Sequence, residues 1–163
     1  MMDSDDVTFL IVDDDDVSVM AVERAIRRLR LTNPIERARD GAEALDRLRA
    51  EGADRVRRPY IILLDLHMPR MTGLEFLGHV RRDALLRGSV VFMMTTSDAP
   101  SDIARAYDKM VAGYIIKDDA VGSMKSAMEM LGAYISIVRL PAAEAATLKH
   151  ETRGQIDAHI AAG

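Results

Sequence analysis

From end to end, short apolar runs alternate with segments whose apolar residues fall three and four apart. The runs at 7–12, 60–64, 90–94 and 113–116 are almost wholly apolar, and a weaker one covers 35–38. Runs of this kind suit parallel strands buried on both faces. The stripes between them predict helices. The first covers 16–30, with Val17, Ala21, Ala25 and Leu29 on one face and Glu23, Arg24, Arg27 and Arg28 off it. Others follow at 41–50 (Ala44, Leu45, Leu48), 73–82 (Leu74, Leu77, Val80) and 101–109 (Ile103, Ala106, Tyr107), with a long one at 123–140. Strict alternation of five strands and five helices predicts an α/β fold on a doubly wound parallel sheet. The charged segment 51–59 reads as a surface loop, and Pro141 stops the last helix. We therefore expect one domain over 1–140 and an extension over 141–163, Ala-rich and with Ile156 and Ile160 one helical turn apart.

Composition narrows the possibilities. A chain of 163 residues supports one full hydrophobic core. The absence of cysteine excludes a disulfide framework, a thiolate metal site and a cysteine nucleophile. A net charge of −4 offers no electrostatic basis for binding nucleic acid. The start is acidic (Asp3, Asp5, Asp6), unlike a signal peptide. No apolar stretch approaches the ~18 residues of a membrane span. The expectation is a cytoplasmic protein without a membrane partner.

In open α/β sheets ligands gather beyond the carboxyl ends of the strands. The first run ends in Asp13-Asp14, the third in Asp65, the fourth in Thr95-Thr96-Ser97 and the fifth in Lys117. Three carboxylates at one edge repel unless a cation joins them. A hard divalent ion such as Mg2+ takes oxygen ligands and keeps positions for phosphate oxygens. With a lysine and a hydroxyl at hand, the set suits in-line phosphoryl transfer to a carboxylate, and Asp65, alone at the central strand, is the best nucleophile. Asp15 and Asp16 read as the start of the first helix, where carboxylates cap free amides. His67 has no second His or Cys nearby, which argues against a transition-metal site. His79, His150 and His159 read as surface residues.

These segments resemble the receiver domains of two-component response regulators. The resemblance runs from about residue 7 to 140. It is carried by Val12-Asp13-Asp14, by Leu64-Asp65-Leu66-His67-Met68-Pro69-Arg70-Met71-Thr72-Gly73, by Thr95-Thr96-Ser97 and by Tyr114-Ile115-Ile116-Lys117. It implies a flavodoxin-like (βα)5 fold and a phosphoacceptor that assists its own phosphorylation and dephosphorylation rather than an enzyme. The phosphoryl group would come to Asp65 from a histidine kinase or phosphotransfer protein. The resemblance also implies Mg2+, with Mn2+ as an alternative, on Asp13, Asp14, Asp65 and the backbone carbonyl of His67. Thr95 would be the switch hydroxyl, Tyr114 the switch aromatic and Lys117 the phosphoryl contact, while His67 and Ser97 would tune the phosphoryl lifetime. The family usually has Pro after the lysine, where this chain has Asp118.

A narrower resemblance links Thr95-Thr96-Ser97-Asp98-Ala99, Asp102-Ile103-Ala104-Arg105-Ala106-Tyr107 and the stretch from Tyr134 to Pro141 to single-domain regulators partnered with phytochrome-type kinases. It implies a homodimer in a light-linked pathway. The last helix agrees: Met130, Ala133, Tyr134 and Ile137 lie beyond its sheet-facing stripe of Met124, Ala127, Met128, Leu131, Ile135 and Val138, and a helix apolar on more than one face needs a second partner. The expected dimer surface combines the fourth helix, fifth strand, fifth helix and C-terminal extension. Arg24, Arg27 and Arg28 are the candidate docking site for the kinase. Two rival readings remain. One is a degenerate receiver that only binds proteins. The other is a haloacid-dehalogenase-type phosphohydrolase, with Asp14 as nucleophile and Asp16 as acid/base.

Overall fold

The computed structural model describes residues 6–118 and 122–141. Five strands, β1 (Thr8–Val12), β2 (Ile35–Ala38), β3 (Tyr60–Leu64), β4 (Val90–Thr95) and β5 (Gly113–Ile116), pair in parallel in the order β2-β1-β3-β4-β5. Helices α1 (Asp16–Arg28), α2 (Gly41–Arg49), α3 (Gly73–Arg82), α4 (Pro100–Asp108) and α5 (Ser123–Ile137) alternate with them. The doubly wound α/β expectation holds.

β1 and β3 are buried throughout and β4 nearly so, which explains their unbroken apolar runs; the edge strands β2 and β5 are half-buried. Because side chains alternate along a strand, each central strand feeds two cores. Leu10, Val12, Ile62, Leu64, Val91 and Met93 meet α2 and α3 on one face. Phe9, Ile11, Ile61, Leu63, Phe92 and Met94 meet α1 and α5 on the other.

Local chemistry sets the helix ends. Asp15 caps α1, Asp40 caps α2, and Thr72 with Glu75 forms a reciprocal capping box on α3. The cap of α4, Ala99, has no side chain for the task, and Pro100 opens that helix. α1 stops at Arg28 rather than 30: Arg30 turns left-handed (φ 57°), its amide bonds Arg27 O, and Leu31 N bonds Ile26 O. Its buried stripe is Val19, Val22, Ala25 and Ile26, whereas Val17 is exposed beside the mouth of the sheet. α5 stops at Ile137, where Val138 turns extended with its amide still bonded to Tyr134 O, and Leu140 returns to the core. The loop 51–59 carries a 3-10 turn, Gly52–Asp54, and buries Val56. Residues 142–163, including Ile156 and Ile160, lie outside the described residues.

At the opposite end of the sheet from the carboxyl edge, Arg81 ties α3 to two connections. It donates to the carbonyls of Arg87 and Ser89 before β4, and to those of Lys109 and Met110 after α4. Among the described residues, no helix is long and apolar enough to cross a membrane.

Candidate functional site

The register of the sheet assembles the site. Val12 pairs with Ala38 on one side and Leu64 on the other, so the residues that follow these strands emerge together. The ladder runs on past the strands: Asp13 N bonds Ala38 O, Asp65 N bonds Val12 O, and Lys117 N bonds Thr95 O. This is the point where the strand order reverses, the usual crevice of such sheets.

Asp13 is buried, Asp65 half-buried and Asp14 exposed, and each offers a carboxylate oxygen within 4.8 Å of the others. Lys117 Nζ stands 2.7 Å from Asp13 Oδ2 and 3.6 Å from Asp65 Oδ1. Asp13 Oδ1 accepts the Asp15 amide, and Asp65 Oδ1 accepts the Leu66 amide. Burial pushes the Asp65 carboxyl above its ordinary value; Lys117 opposes that shift and the charge of Asp13 adds to it. Three clustered carboxylates served by one ammonium form a hard-oxygen donor set that suits Mg2+ or Mn2+.

One contributor was missed by the sequence reading. Arg37, at the level of Ile11 on β2, donates to the carbonyls of Asp13 and Asp14 and pairs with Asp16 at 2.6 Å. It fixes the turn that carries two of the acids. A basic residue in a short edge strand was the available signal.

Thr95 is fully buried at the end of β4, and its Oγ1 accepts the Ser97 amide at 3.3 Å. Tyr114 is half-buried, and its hydroxyl donates to Ser97 O at 3.0 Å. The Ser97 hydroxyl donates to Asp102 Oδ2 at 2.6 Å. His67 is exposed just beyond Asp65. Among the described residues the cis peptide bond is Arg58–Pro59, and Lys117–Asp118 is not cis.

Asp16 does not join the acids. It opens α1, exposed, and the hydrogen bond and charge of Arg37, with Arg39 behind, hold its carboxyl below the ordinary range. The carboxylate cluster among the described residues is Asp13, Asp14 and Asp65, so the geometry lends the phosphohydrolase reading, which needs Asp16 beside Asp14 in the chemistry, no support. Asp15 is the α1 cap. Arg24 and Arg28 line a groove of about 530 Å3 between α1 and α5 that opens onto Lys117 and Thr96, while Arg27 braces the carbonyls of Leu31 and Asn33. On α5, Met130 (41% exposed), Ala133 and Ile137 (79%) face outward. The Tyr134 ring packs edge-on against Phe92 at 5.2 Å, which commits it to the core. His79 is exposed.

Residues 9–129 match the response regulator receiver domain. The chain is 36% identical over 130 residues to the probable methanogenesis regulatory protein FilR2 of Methanothrix harundinacea, covering 80% of this chain and 84% of that protein. Among solved structures, the phosphorylated cyanobacterial phytochrome response regulator RcpA superposes with a TM-score of 0.75 at 28% identity, covering 83% of this chain and 98% of that one. The Mn2+-bound form of Rcp1, a Synechocystis response regulator, superposes with a TM-score of 0.73 at 25% identity, covering 83% and 99%. Receiver domains take a phosphoryl group on an aspartate, partner histidine kinases or phosphotransfer proteins, and bind Mg2+ or Mn2+ in an acidic pocket. With its five-stranded parallel sheet and a family match across most of its length, this chain belongs to the response regulator receiver domain family.

Proposed function

We propose that this chain is an Mg2+-dependent response regulator receiver phosphorylated on Asp65. The observation that carries the reading is the cluster of Asp13, Asp14 and Asp65 oxygens bridged by Lys117 at the strand-order reversal. Asp65 Oδ attacks phosphorus in line and the P–N bond of a phosphohistidine breaks. The imidazole nitrogen keeps that electron pair and takes a proton from solvent, leaving an acyl phosphate. Asp13, Asp14, Asp65 and the His67 carbonyl would hold Mg2+ or Mn2+, which when bound neutralises charge on the phosphoryl oxygens. Lys117 contacts the same oxygens, and Thr95 donates its hydroxyl to one of them. Burial disfavours the ionised form of Asp65, and the phosphoryl group adds further negative charge there, so Lys117 and a bound cation are needed to offset it. His67 and Ser97 flank the approach of water and set the phosphoryl lifetime.

The groove of Arg24 and Arg28, flanked by exposed Val17, suits docking of a kinase or phosphotransfer helix next to Lys117. The likeness to RcpA, a phytochrome response regulator covered over nearly its whole length, supports a phytochrome-type kinase as the donor. That exchange takes place in the cytoplasm. Exposed Met130, Ala133 and Ile137 on α5, with Ile116 on β5 and Tyr107 and Met110 around the end of α4, support a homodimer on this face. The end of α5 at Ile137 and the return of Leu140 to the core support a receiver domain that closes near residue 140.

The test is incubation with acetyl phosphate and Mg2+, read as an added phosphoryl mass. Label should vanish in Asp65→Asn and persist in Asp16→Asn. Retention of label in Asp65→Asn would overturn the assignment.

A further inference from the structure

Ser97 has all four of its polar handles engaged. Its amide donates to Thr95 Oγ1 (3.3 Å) and its carbonyl accepts from the Tyr114 hydroxyl (3.0 Å). Its own hydroxyl donates to Asp102 Oδ2 (2.6 Å) and accepts the Ala99 amide (3.4 Å). Asp102 lies in the first turn of α4, where a carboxylate also favours the free amides of a helix whose cap residue, Ala99, has no side-chain acceptor. Charge-assisted hydrogen bonds of this length are the strong ones.

We infer that Asp102 is a positioning residue: by holding the Ser97 hydroxyl it keeps the Ser97 carbonyl aimed at Tyr114 and joins the Thr95 hydroxyl to the first turn of α4. Thr95 is fully buried with a single hydroxyl, so a change in what that hydroxyl bonds acts on the Ser97 peptide. The carbonyl and the serine side chain move with that peptide. Tyr114 and α4 therefore respond together rather than independently. Without the Asp102 anchor the Ser97 hydroxyl keeps only the longer contact with the Ala99 amide, so the Ser97 peptide is held less firmly, its carbonyl aligns less well with Tyr114, and the link from Thr95 to α4 weakens. This role rests on the reading of Asp65 as phosphoacceptor, but the latch itself exists in the unmodified chain and is tested there.

The experiment is fluorine NMR of the full chain labelled with 3-fluorotyrosine, with Tyr114 assigned by Tyr114→Phe, together with amide hydrogen exchange in α4. In unmodified protein, Asp102→Ala should move the Tyr114 resonance toward its solvent-exposed position. The same variant should speed exchange in the first turn of α4 by roughly tenfold or more, the factor expected for losing a hydrogen bond to a charged group. Ser97→Ala should do the same, the double variant should add little, and Asp102→Asn, which retains an acceptor, should restore most of the parent spectrum. An unmoved Tyr114 resonance in both alanine variants, or effects that simply add, would overturn the role. Labelling with acetyl phosphate reports separately: no label on Asp65 with an intact Tyr114 response removes the phosphoacceptor reading and leaves the latch standing.

Discussion

Asp65 sits where its charge is unwelcome, and that has a measurable sign. Burial, with Asp13 adding, raises its folded pKa above the ordinary 3.8 despite Lys117. A carboxyl with a raised folded pKa contributes stability below the unfolded pKa and loses it as pH rises through the folded value. At neutral pH the ionised side chain therefore works against folding. Asp65→Asn should raise the metal-free thermal midpoint at pH 7, by roughly 2–4 °C for each 1 kcal/mol recovered. The gain should shrink as pH falls through the folded pKa and be gone below 3.8; a gain that persists in acid would contradict this origin. Arg37 offers the complementary test. Arg37→Gln releases the carbonyls of Asp13 and Asp14, and the ion pair to Asp16, while leaving the clustered carboxylates of Asp13, Asp14 and Asp65 in place, and Mg2+ titration should show affinity weaker by roughly tenfold or more. These two residues also mark what the sequence could say. Asp13, Asp14, Asp65 and Lys117 were legible because each follows a strongly apolar strand. Arg37 was not, because it works by binding main-chain oxygens, and such partners leave no pattern in the side chains.

At the level of elements, α3 begins in contact with the chemistry. A Cβ on Gly73 would stand 2.4 Å from Asp65 O and 3.0 Å from Leu66 Cα, both backbone atoms that cannot step aside. The Gly73 amide also donates to Leu66 O. Gly73→Ala should cost about 1–3 kcal/mol by overpacking and slow phosphorylation by acetyl phosphate. Unchanged stability and rate together would show that the β3–α3 connection yields easily. Strand positions were readable to within a residue because burial on both faces imposes unbroken apolar runs. Helix ends were less so. The stop of α1 depends on a left-handed arginine, and the stop of α5 on Leu140 finding the core, both tertiary choices. The α1 stripe was likewise misread by including Val17 and Ala21, both exposed; the buried face is that of Val19, Val22, Ala25 and Ile26.

For the whole molecule, the outward apolar residues of α5 (Met130, Ala133, Ile137) and Ile116 of the edge strand β5 expose the apolar surface on which the proposed homodimer rests. Sedimentation should show a concentration-dependent dimer that Ile137→Asp disrupts; a parent mass fixed at the monomer value over a wide concentration range would remove the dimer. The same face contains α4, and Arg81 gives that helix a mechanical character. Arg81 grips the carbonyls of Lys109 and Met110 just past its C-terminus, while its N-terminal turn is tied to Ser97 through Asp102. α4 thus spans nine residues, about 13 Å, from the base of the sheet, where Arg81 holds it, to the mouth, where Asp102 meets Ser97. Under the proposed latch, a rearrangement at Ser97 would shift the mouth end of α4 more than the end held by Arg81, so a partner that gauges the helix's angle would sense it while one gripping the Met110 end would not.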